Sequence, residues 1–309
     1  MKPGRFRHCP MQGNIVQKSY FLIRGAVFCS KKNFFLLFLI SCACLFIGIN
    51  TQDLAAISVD LRWMKGSAQN WKDVKEHLEQ KSIANPNTVT KLSLIARNLK
   101  KTPDWVFTKM PNLRSLNLSH NNLKQIPENL EALCKLEELD ITHNCVSKLP
   151  ISVGKLHALE TVRASFNCLT TVPKALWHLP RLKELTLYGN QIDSITHDIQ
   201  YAKNLETVVL GGNNISHISH NIMCPQSLRH LYLNNNSLRA LPANIGCLRL
   251  KTLVLSDNPI ETLPATIRHL KNHIQALHVQ NCPHLLQENQ ESAVGLQTLC
   301  EIFDHQIWL

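Results

Sequence analysis

The sequence contains none of the short motifs that mark the common enzyme active sites. It has no phosphate-cradling G-x-x-x-x-G-K-S/T loop, no G-x-S-x-G nucleophile turn and no zinc-binding H-E-x-x-H helix. Histidine is frequent, but neither the pair His120 and His143 nor the cluster His278, Cys282 and His284 has the spacing of an established zinc site. We therefore expect a protein that is not an enzyme, with no cofactor and no bound metal.

Acidic residues are absent from residues 1–52, whereas seven of the 33 lysines and arginines lie there. The rest of the chain has 26 basic residues against 22 acidic ones, so most of the formal charge of +11 belongs to the N-terminal segment. No concentrated basic stripe or aromatic platform of a known type accompanies this charge. Nucleic-acid binding is therefore not expected.

One phrase returns about every 23 residues from position 113 onward, L-x-x-L-x-L-x-x-N-x-L. The seven clear copies begin at Leu113, Leu136, Leu159, Leu182, Leu205, Leu228 and Leu250. A degenerate copy begins at Val89, with Arg97 in the asparagine slot, and another begins at Ile274, with Cys282 in that slot. This is the leucine-rich repeat signature, and we number the nine copies repeats 1 to 9.

The repeat phrase predicts both a strand and a turn. Apolar residues alternate within L-x-x-L-x-L, which suits a short strand with one buried face, and successive strands are expected to stack in parallel. The asparagine amide both donates and accepts hydrogen bonds, so it can satisfy backbone groups where the chain leaves the strand. Gly211-Gly212, at this turn of repeat 6, predicts a close backbone approach. We expect a buried structural ladder of Asn121, Asn144, Asn167, Asn190, Asn213, Asn236 and Asn258.

The second half of five repeats opens with an aliphatic residue and a proline, followed by x-x-I/V/L-x-x-L. These pairs are Ile126-Pro127, Leu149-Pro150, Val172-Pro173, Leu241-Pro242 and Leu263-Pro264. Proline fits the first turn of a helix and disfavours helix in the residue before it, which predicts a short helix on the convex side.

The phrase L-P-x-x-I/V-x-x-L within residues 89–285 resembles the Ras-group leucine-rich repeat proteins, which are scaffolds and suppressors of small-GTPase signalling. The resemblance implies an α/β solenoid: a right-handed horseshoe with a concave parallel β-sheet, short convex helices and about nine repeats. It does not imply one partner, because such proteins share the scaffold and differ on the concave face.

The sequence divides into four parts. Residues 1–52 form a basic and hydrophobic extension, and residues 53–88 a linker with an N-terminal capping helix, which Asn70 is placed to cap. Residues 89–285 are the repeats, and residues 286–309 a C-terminal cap or tail.

Cysteines are not clustered at either end of the repeats. Four of the eleven lie in the extension, and the others are scattered as Cys134, Cys145, Cys168, Cys224, Cys247, Cys282 and Cys300. Extracellular leucine-rich repeat proteins typically carry cysteine clusters that staple their caps, and no such cluster flanks this run of repeats. The pattern predicts reduced cysteines that act as small apolar fillers in a cytosolic domain.

The N-terminal extension contains a membrane-like segment. Residues 34–49 are apolar apart from Ser41 and Gly48, and the uncharged window 33–52 reaches the 20 residues that a transmembrane helix needs. Three interpretations stay open: a signal-anchor, a cleaved signal sequence, or an extension not retained in the working protein. Export would make Asn117, Asn214 and Asn235 glycosylation acceptors.

The strand residues that point outward are the candidates for binding a partner. One column across repeats 3 to 7 holds Asp140, Arg163, Thr186, Val209 and Tyr232, and beside it lie Phe166, Tyr188, Glu137, Glu138 and Glu160. Exposed aromatic residues with an arginine are the composition of interface hot spots, although scattered exposed aromatics are also normal. We predict a partner-binding surface of Asp140, Arg163, Phe166, Tyr188, Val209 and Tyr232.

The C-terminal tail supports two interpretations. Residues 295–304 approximate an elongin-binding box, in which Leu296 and Cys300 match, while Gly295 is a poor first residue and Asp304 breaks the last apolar position. The alternative is an amphipathic helix that caps repeat 9 with Leu296, Leu299, Ile302 and Phe303.

The sequence thus favours a non-enzymatic scaffold that binds a protein on its concave face. The resemblance implies a small GTPase or a phosphatase as the partner. The scattered cysteines predict a cytoplasmic domain, and the apolar segment predicts membrane contact through residues 33–52. The two alternatives are a substrate receptor of an elongin–cullin ubiquitin ligase, whose partner is a ligase component, and a membrane-anchored leucine-rich repeat receptor.

Overall fold

Eleven parallel strands form one open sheet in the computed structural model. The structure describes residues 57–61, 68–81, 83, 85–219, 226–283, 285, 293–294, 296–303 and 307–308. The strands are β1 (Ile57–Asp60), β2 (Val89–Ser93), β3 (Ser115–Asn117), β4 (Glu138–Asp140), β5 (Thr161–Arg163), β6 (Glu184–Thr186), β7 (Ser194–Ile195), β8 (Thr207–Val209), β9 (His217–Ile218), β10 (His230–Tyr232), β11 (Thr252–Val254), β12 (Leu263–Pro264), β13 (Ala276–His278), β14 (Ala293–Val294) and β15 (Ile307–Trp308).

The order in the main sheet is β1-β2-β3-β4-β5-β6-β8-β10-β11-β13-β15. Nine of its strands, β2 to β13 in that order, are the strands of repeats 1 to 9. Two short sheets lie outside it, a parallel pair of β7 with β9 and an antiparallel pair of β12 with β14. The α/β solenoid expected from the repeat phrase is therefore confirmed.

Short helices return the chain from one strand to the next. The α-helices are α1 (Trp71–Gln80), α2 (Trp105–Lys109), α3 (Lys174–Trp177) and α4 (Leu296–Phe303). The 3-10 helices span Pro86–Thr88, Glu128–Ala132, Ile151–Lys155, His197–Tyr201, Ala243–Cys247 and Ala265–Asn272. Each repeat proline is the N-cap residue of its helix, with φ between −57° and −76°. The fixed φ of proline thus holds the entry to the turn, just before the first helical residue.

The core runs through the whole stack. The inward-facing apolar residues of the repeat strands and of the convex helices are buried between the sheet and the helical turns, in one continuous cluster. In repeat 4, for example, Leu159, Val162, Ala164 and Leu176 each have no exposed surface. Because each repeat covers the apolar edge of its neighbour, stability depends on the stack rather than on any single repeat.

All seven repeat asparagines are buried, and each bridges two repeats. In repeat 4 the Asn167 Nδ2 donates to the carbonyl oxygens of Ile141 (3.0 Å), Ala164 and Ser165 (both 3.2 Å), and its Oδ1 accepts from the Val146 N–H at 2.9 Å. The same four bonds recur from repeat 3 to repeat 8. The ladder therefore satisfies backbone groups that the turn leaves without partners inside their own repeat.

Both ends of the stack are covered. At the N-terminal end β1 pairs with β2, and Asn70 caps α1 by accepting a hydrogen bond from the Lys72 N–H at 3.0 Å. At the C-terminal end β15 pairs with β13, while Leu299 and Phe303 of α4 are buried in the core. The two outermost strands β1 and β15 lie outside the repeats and were not expected from the sequence.

The cysteines of the described residues are free thiols, but most of them are not buried. Cys134, Cys145 and Cys247 are exposed, whereas Cys282 is buried in the asparagine slot of repeat 9, where burial raises the pKa of its thiol. The expectation of apolar fillers is therefore wrong for the exposed three. Cys145 shows the reason: it directly follows Asn144, whose side chain points inward, so the next side chain points outward.

No helix in the described ranges combines the length and the apolar character that a bilayer crossing requires. The membrane-like window 33–52 lies outside the described residues.

The convex side carries a buried carboxylate, Asp198, in the 3-10 helix His197–Tyr201. Its Oδ2 accepts from the Thr196 hydroxyl at 2.9 Å and lies 3.6 Å from the Lys174 Nζ, and its side chain is 8% exposed. Burial alone would raise the pKa of Asp198, but the Thr196 hydrogen bond and the charges of Lys174 and His197 outweigh it, so the pKa is lowered.

Asp198→Asn is expected to lower the free energy of unfolding by about 1 kcal/mol at neutral pH, because the neutral amide cannot pair with the charge of Lys174. A lowered folded pKa gives stability that is present above the unfolded pKa of about 4 and is lost as the pH falls through the folded value. The difference between Asp198→Asn and the wild type should therefore shrink below about pH 4 in urea titrations at several pH values. The exposed Asp193→Asn is the control, and a difference that does not depend on pH would contradict the assignment.

Candidate functional site

The outward-facing side chains of the main sheet form a surface that we call the sheet face. The strands β3, β5, β6, β8 and β10 each bury their central residue and leave the flanking two partly exposed, and β4 differs in that its first residue, Glu138, is exposed. The pairing register aligns Asp140, Arg163, Thr186, Val209 and Tyr232 in one column across β4, β5, β6, β8 and β10. All five are partly exposed. The strand residues predicted as a binding surface thus share one column.

Phe166 and Tyr188 lie outside this column, in the turns that follow β5 and β6, and they belong to a continuous row of rings. The rings of His120 and His143 stack with centroids 4.5 Å apart, and those of His143 and Phe166 with centroids 4.4 Å apart and planes only 10° from parallel. Tyr188 closes the row with an edge-on contact to Phe166 at 5.4 Å. We call His120, His143, Phe166 and Tyr188 the ring row.

The backbone explains the stack. His120, His143 and Phe166 each precede a ladder asparagine and have φ between 53° and 56°, in the left-handed region. Side chains at this repeated turn position therefore leave the chain in the same direction, one repeat apart. Two stacked pairs of aromatic rings add about 0.5–1.5 kcal/mol each beyond the area that they bury.

Glycines make room for the last two rings of the row. A Cβ on Gly189, whose φ is +67°, would lie 2.8 Å from the Phe166 Cδ1. A Cβ on Gly211 would lie 3.0 Å from the Tyr188 Cδ2, and one on Gly212 would lie 3.1 Å from its Cζ. The Phe166 and Tyr188 rings therefore lie over glycine backbone of the next repeat. This is the close approach that the sequence predicts at Gly211-Gly212.

Ion pairs between neighbouring repeats cross the sheet face. Arg114 Nη1 lies 2.6 Å from the Glu137 Oε1, Arg163 Nη2 lies 3.2 Å from the Glu184 Oε2, and Lys183 Nζ lies 2.8 Å from the Glu160 Oε2. The hydrogen bond from Lys183 to Glu160, together with the charges of Glu160 and Glu206, raises the pKa of Lys183.

Three carboxylates of the same surface have no cation within 4.0 Å among the described residues, namely those of Glu138, Asp140 and Glu206. Asp140 instead accepts hydrogen bonds from the Asn117 Nδ2 at 3.2 Å and the Thr142 N–H at 2.9 Å. The sheet face of repeats 2 to 6 therefore carries six carboxylates and three cations, a formal excess of three negative charges.

The spacing of His120 and His143 predicts no metal site, and strand alternation alone does not predict their stacking with Phe166. The signal was present, because His120, His143 and Phe166 occupy the same slot before the asparagine in consecutive repeats. In the part of the chain that the structure describes, no three His, Cys, Asp or Glu side chains come together as a metal site would require.

Leu296 and Cys300, the two residues that match the elongin-binding box, lie on α4. Cys300 is partly buried there, and Ile302 packs against the core next to the buried Leu299 and Phe303. Leu296 begins the helix. This face of α4 is engaged with the end of the stack, as a capping helix requires.

A stack of parallel strands, each followed by an inward asparagine and a short convex helix, is the architecture of a leucine-rich repeat solenoid. Family models described as leucine-rich repeats match residues 87–146 and 134–192, and also residues 227–248 and 249–270. The matched segments are leucine-rich repeats, and the fold is a leucine-rich repeat solenoid. These matches do not resolve a subgroup.

Solved structures with a similar fold include the following two. One is a leucine-rich repeat protein of Leptospira interrogans, with a TM-score of 0.68 and 27% identity over 82% of this chain and 60% of that one. The other is a TLR13–ssRNA13 complex, with a TM-score of 0.54 and 26% identity over 63% of this chain and 29% of that one. This chain therefore spans less than two thirds of either protein. A search of curated protein sequences gives no significant match.

Proposed function

We propose that this protein is a non-enzymatic scaffold whose sheet face binds a protein partner across repeats 3 to 7. Leucine-rich repeat domains generally mediate protein–protein interactions. The ring row is the main support for placing the binding surface here. Phe166 keeps 45% of its surface exposed, although its ring is already held by His143 and Tyr188. An ordered aromatic side chain loses little conformational entropy on binding, which favours a hot spot.

The column beside the ring row supports the same surface. It changes from charged at Asp140 and Arg163 to apolar at Val209 and Tyr232, so it offers polar and apolar contacts within five strands. Protein–protein interfaces use both kinds of contact.

We further propose that this scaffold acts in intracellular signalling and that its partner is a small GTPase or a phosphatase. The L-P-x-x-I/V-x-x-L phrase, which resembles the Ras group, supports it. A cytoplasmic location is favoured by the exposed free thiols of Cys134, Cys145 and Cys247. It is also favoured at Asn117, where the amide nitrogen that a glycan would use donates a hydrogen bond to Asp140.

Replacing two rings of the row tests the proposal. Phe166→Ala with Tyr188→Ala is expected to weaken partner binding by roughly 30- to 1000-fold, because hot-spot aromatics contribute about 1–2 kcal/mol each and about 1.4 kcal/mol corresponds to tenfold in affinity. The full-length chain, tagged at its C-terminus, is purified gently from cells, and co-purifying proteins are quantified by mass spectrometry for the wild type and the variant. For each protein that co-purifies with the wild type but not with the variant, the affinity is then measured directly by calorimetry.

The convex side offers a matched control. Tyr201 is also 45% exposed, and its ring stacks on that of His178 at 4.6 Å, much as Phe166 stacks on His143. His178→Ala with Tyr201→Ala should leave the partners bound. Partners that survive the loss of Phe166 and Tyr188 would refute the proposed surface, and recovery of elongins with a cullin would favour the ligase alternative through Leu296 and Cys300.

A further inference from the structure

We propose that the segment bound on the sheet face is rich in arginine and lysine and lies across repeats 3 to 6, against the ring row. This inference rests on the proposed function and adds the chemistry of the partner. It follows from two features that lie side by side: an ordered row of rings and a strand surface with too few cations for its carboxylates.

The ring row suits a cationic side chain. Phe166 lies between the His143 ring at 4.4 Å and the Gly189 backbone, so its orientation is fixed before any partner arrives. Tyr188 is held over Gly212 in the same way. The aliphatic stems of arginine and lysine pack along apolar surface such as the exposed edges of these rings, while their charged ends stay free to meet a carboxylate. An arginine side chain can therefore rest on the row and reach the carboxylates beside it.

The excess of carboxylates on the strands also favours a cationic partner. Arg114, Arg163 and Lys183 each pair with one carboxylate of the neighbouring repeat. The carboxylates of Glu138, Asp140 and Glu206 have no such cation among the described residues, and both Glu138 and Glu206 are exposed. A cationic segment can supply the missing charges, whereas a phosphate backbone would be repelled, which argues against nucleic acid on this face.

The far side of this region has the opposite sign. Arg229 and Lys251 follow Glu206 in the same column, in repeats 7 and 8, as the backbone bonds from Arg229 to Glu206 and from Lys251 to Arg229 show. A basic segment would be repelled there. The cationic part of the partner is therefore placed over repeats 3 to 6, and it ends before repeat 7.

The test measures binding of a labelled peptide to the full-length chain by fluorescence anisotropy. The probe alternates arginine and glycine, and a peptide that alternates glutamate and glycine serves as its opposite. The arginine peptide should bind at low salt and weaken steeply as salt is added, because exposed charges are screened. The variant Glu138→Gln, Asp140→Asn and Glu206→Gln should weaken this binding by about tenfold and reduce its dependence on salt.

A control variant makes the same change of net charge elsewhere. Glu76→Gln, Glu79→Gln and Asp104→Asn lie on or next to α1 and α2, outside the sheet face. Binding should change less than about twofold in this control. Equal weakening in both variants would mean that only net charge matters, and no weakening in the face variant would place the peptide elsewhere. Either result overturns the inference, as would preferred binding of the glutamate peptide.

The same variants separate this inference from the proposed function. Cellular partners that are lost with Phe166→Ala and Tyr188→Ala, and also with the carboxylate variant, support both. Partners that are lost with the ring variant but retained by the carboxylate variant leave the proposed function standing and show that the partner is not a basic segment. Partners that are retained by both variants overturn both.

Discussion

Asn213→Ala is expected to lower the free energy of unfolding by about 4 kcal/mol, because buried polar groups without partners cost about 1–3 kcal/mol each. The Asn213 Nδ2 donates to the carbonyl oxygens of Leu187 (3.0 Å), Leu210 (2.9 Å) and Gly211 (3.2 Å), and its Oδ1 accepts from the Ile192 N–H at 3.0 Å. Alanine can replace none of these bonds. The loss is measured by urea unfolding followed by circular dichroism.

The next residue in the chain is a close control. Asn214 is exposed, directly after a ladder position, so Asn214→Ala should change the unfolding free energy by less than about 0.5 kcal/mol. If the two variants were equally stable, the ladder would not contribute to holding the repeats together.

Gly246→Ala should also destabilise the domain strongly, by about 3 kcal/mol, because an added methyl group must displace backbone. A Cβ on Gly246 would lie 2.1 Å from the carbonyl oxygen of Thr266, in the 3-10 helix of the next repeat. Since that oxygen belongs to the main chain, no side-chain rotation can relieve the overlap. Thermal unfolding would show a lower midpoint for this variant.

Gly154 occupies the equivalent position of the 3-10 helix Ile151–Lys155. A Cβ there would lie 3.1 Å from the Ala175 Cβ, a contact that a small shift relieves. Gly154→Ala is therefore expected to cost about 1 kcal/mol or less. Equal costs at Gly154 and Gly246 would show that the convex helices pack less tightly than the structure indicates.

The strands, the inward asparagines and the proline-led turns could be predicted because each follows from a position in a repeating phrase. A period-two alternation places Leu116 and Leu118 inside, and an amide is the side chain that can bond both donors and acceptors of a turn. Repetition carries each local inference from one repeat to the next. The column from Asp140 to Tyr232 follows from the same register.

The ring row could not be predicted from alternation, because it depends on a left-handed turn residue. Alternation describes strand residues, whereas His120, His143 and Phe166 leave the chain after the strand has ended, at φ values near +55°. The ion pairs also depend on side-chain conformations, as between Arg163 and Glu184. The ends were missed for a different reason: β1 and β15 have no repeat phrase and form strands only because an open sheet edge is available to them.

The exposed thiols show how composition misleads when position is ignored. Cysteine is commonly buried, but the slot after a ladder asparagine points outward whatever residue fills it. Cys145 and Cys168 both occupy that slot, and neither is buried.

The most direct test of the binding surface is hydroxyl-radical footprinting of the full-length chain with and without a partner captured from cells. Aromatic side chains are the readout, and Tyr201 on the convex side is an internal reference with the same exposure as Phe166. A partner on the sheet face should slow the oxidation of Phe166, Tyr188 and Tyr232 and leave that of Tyr201 unchanged. Slower oxidation of Tyr201, with Phe166 and Tyr188 reacting as they do in the free chain, would place the partner on the convex side instead.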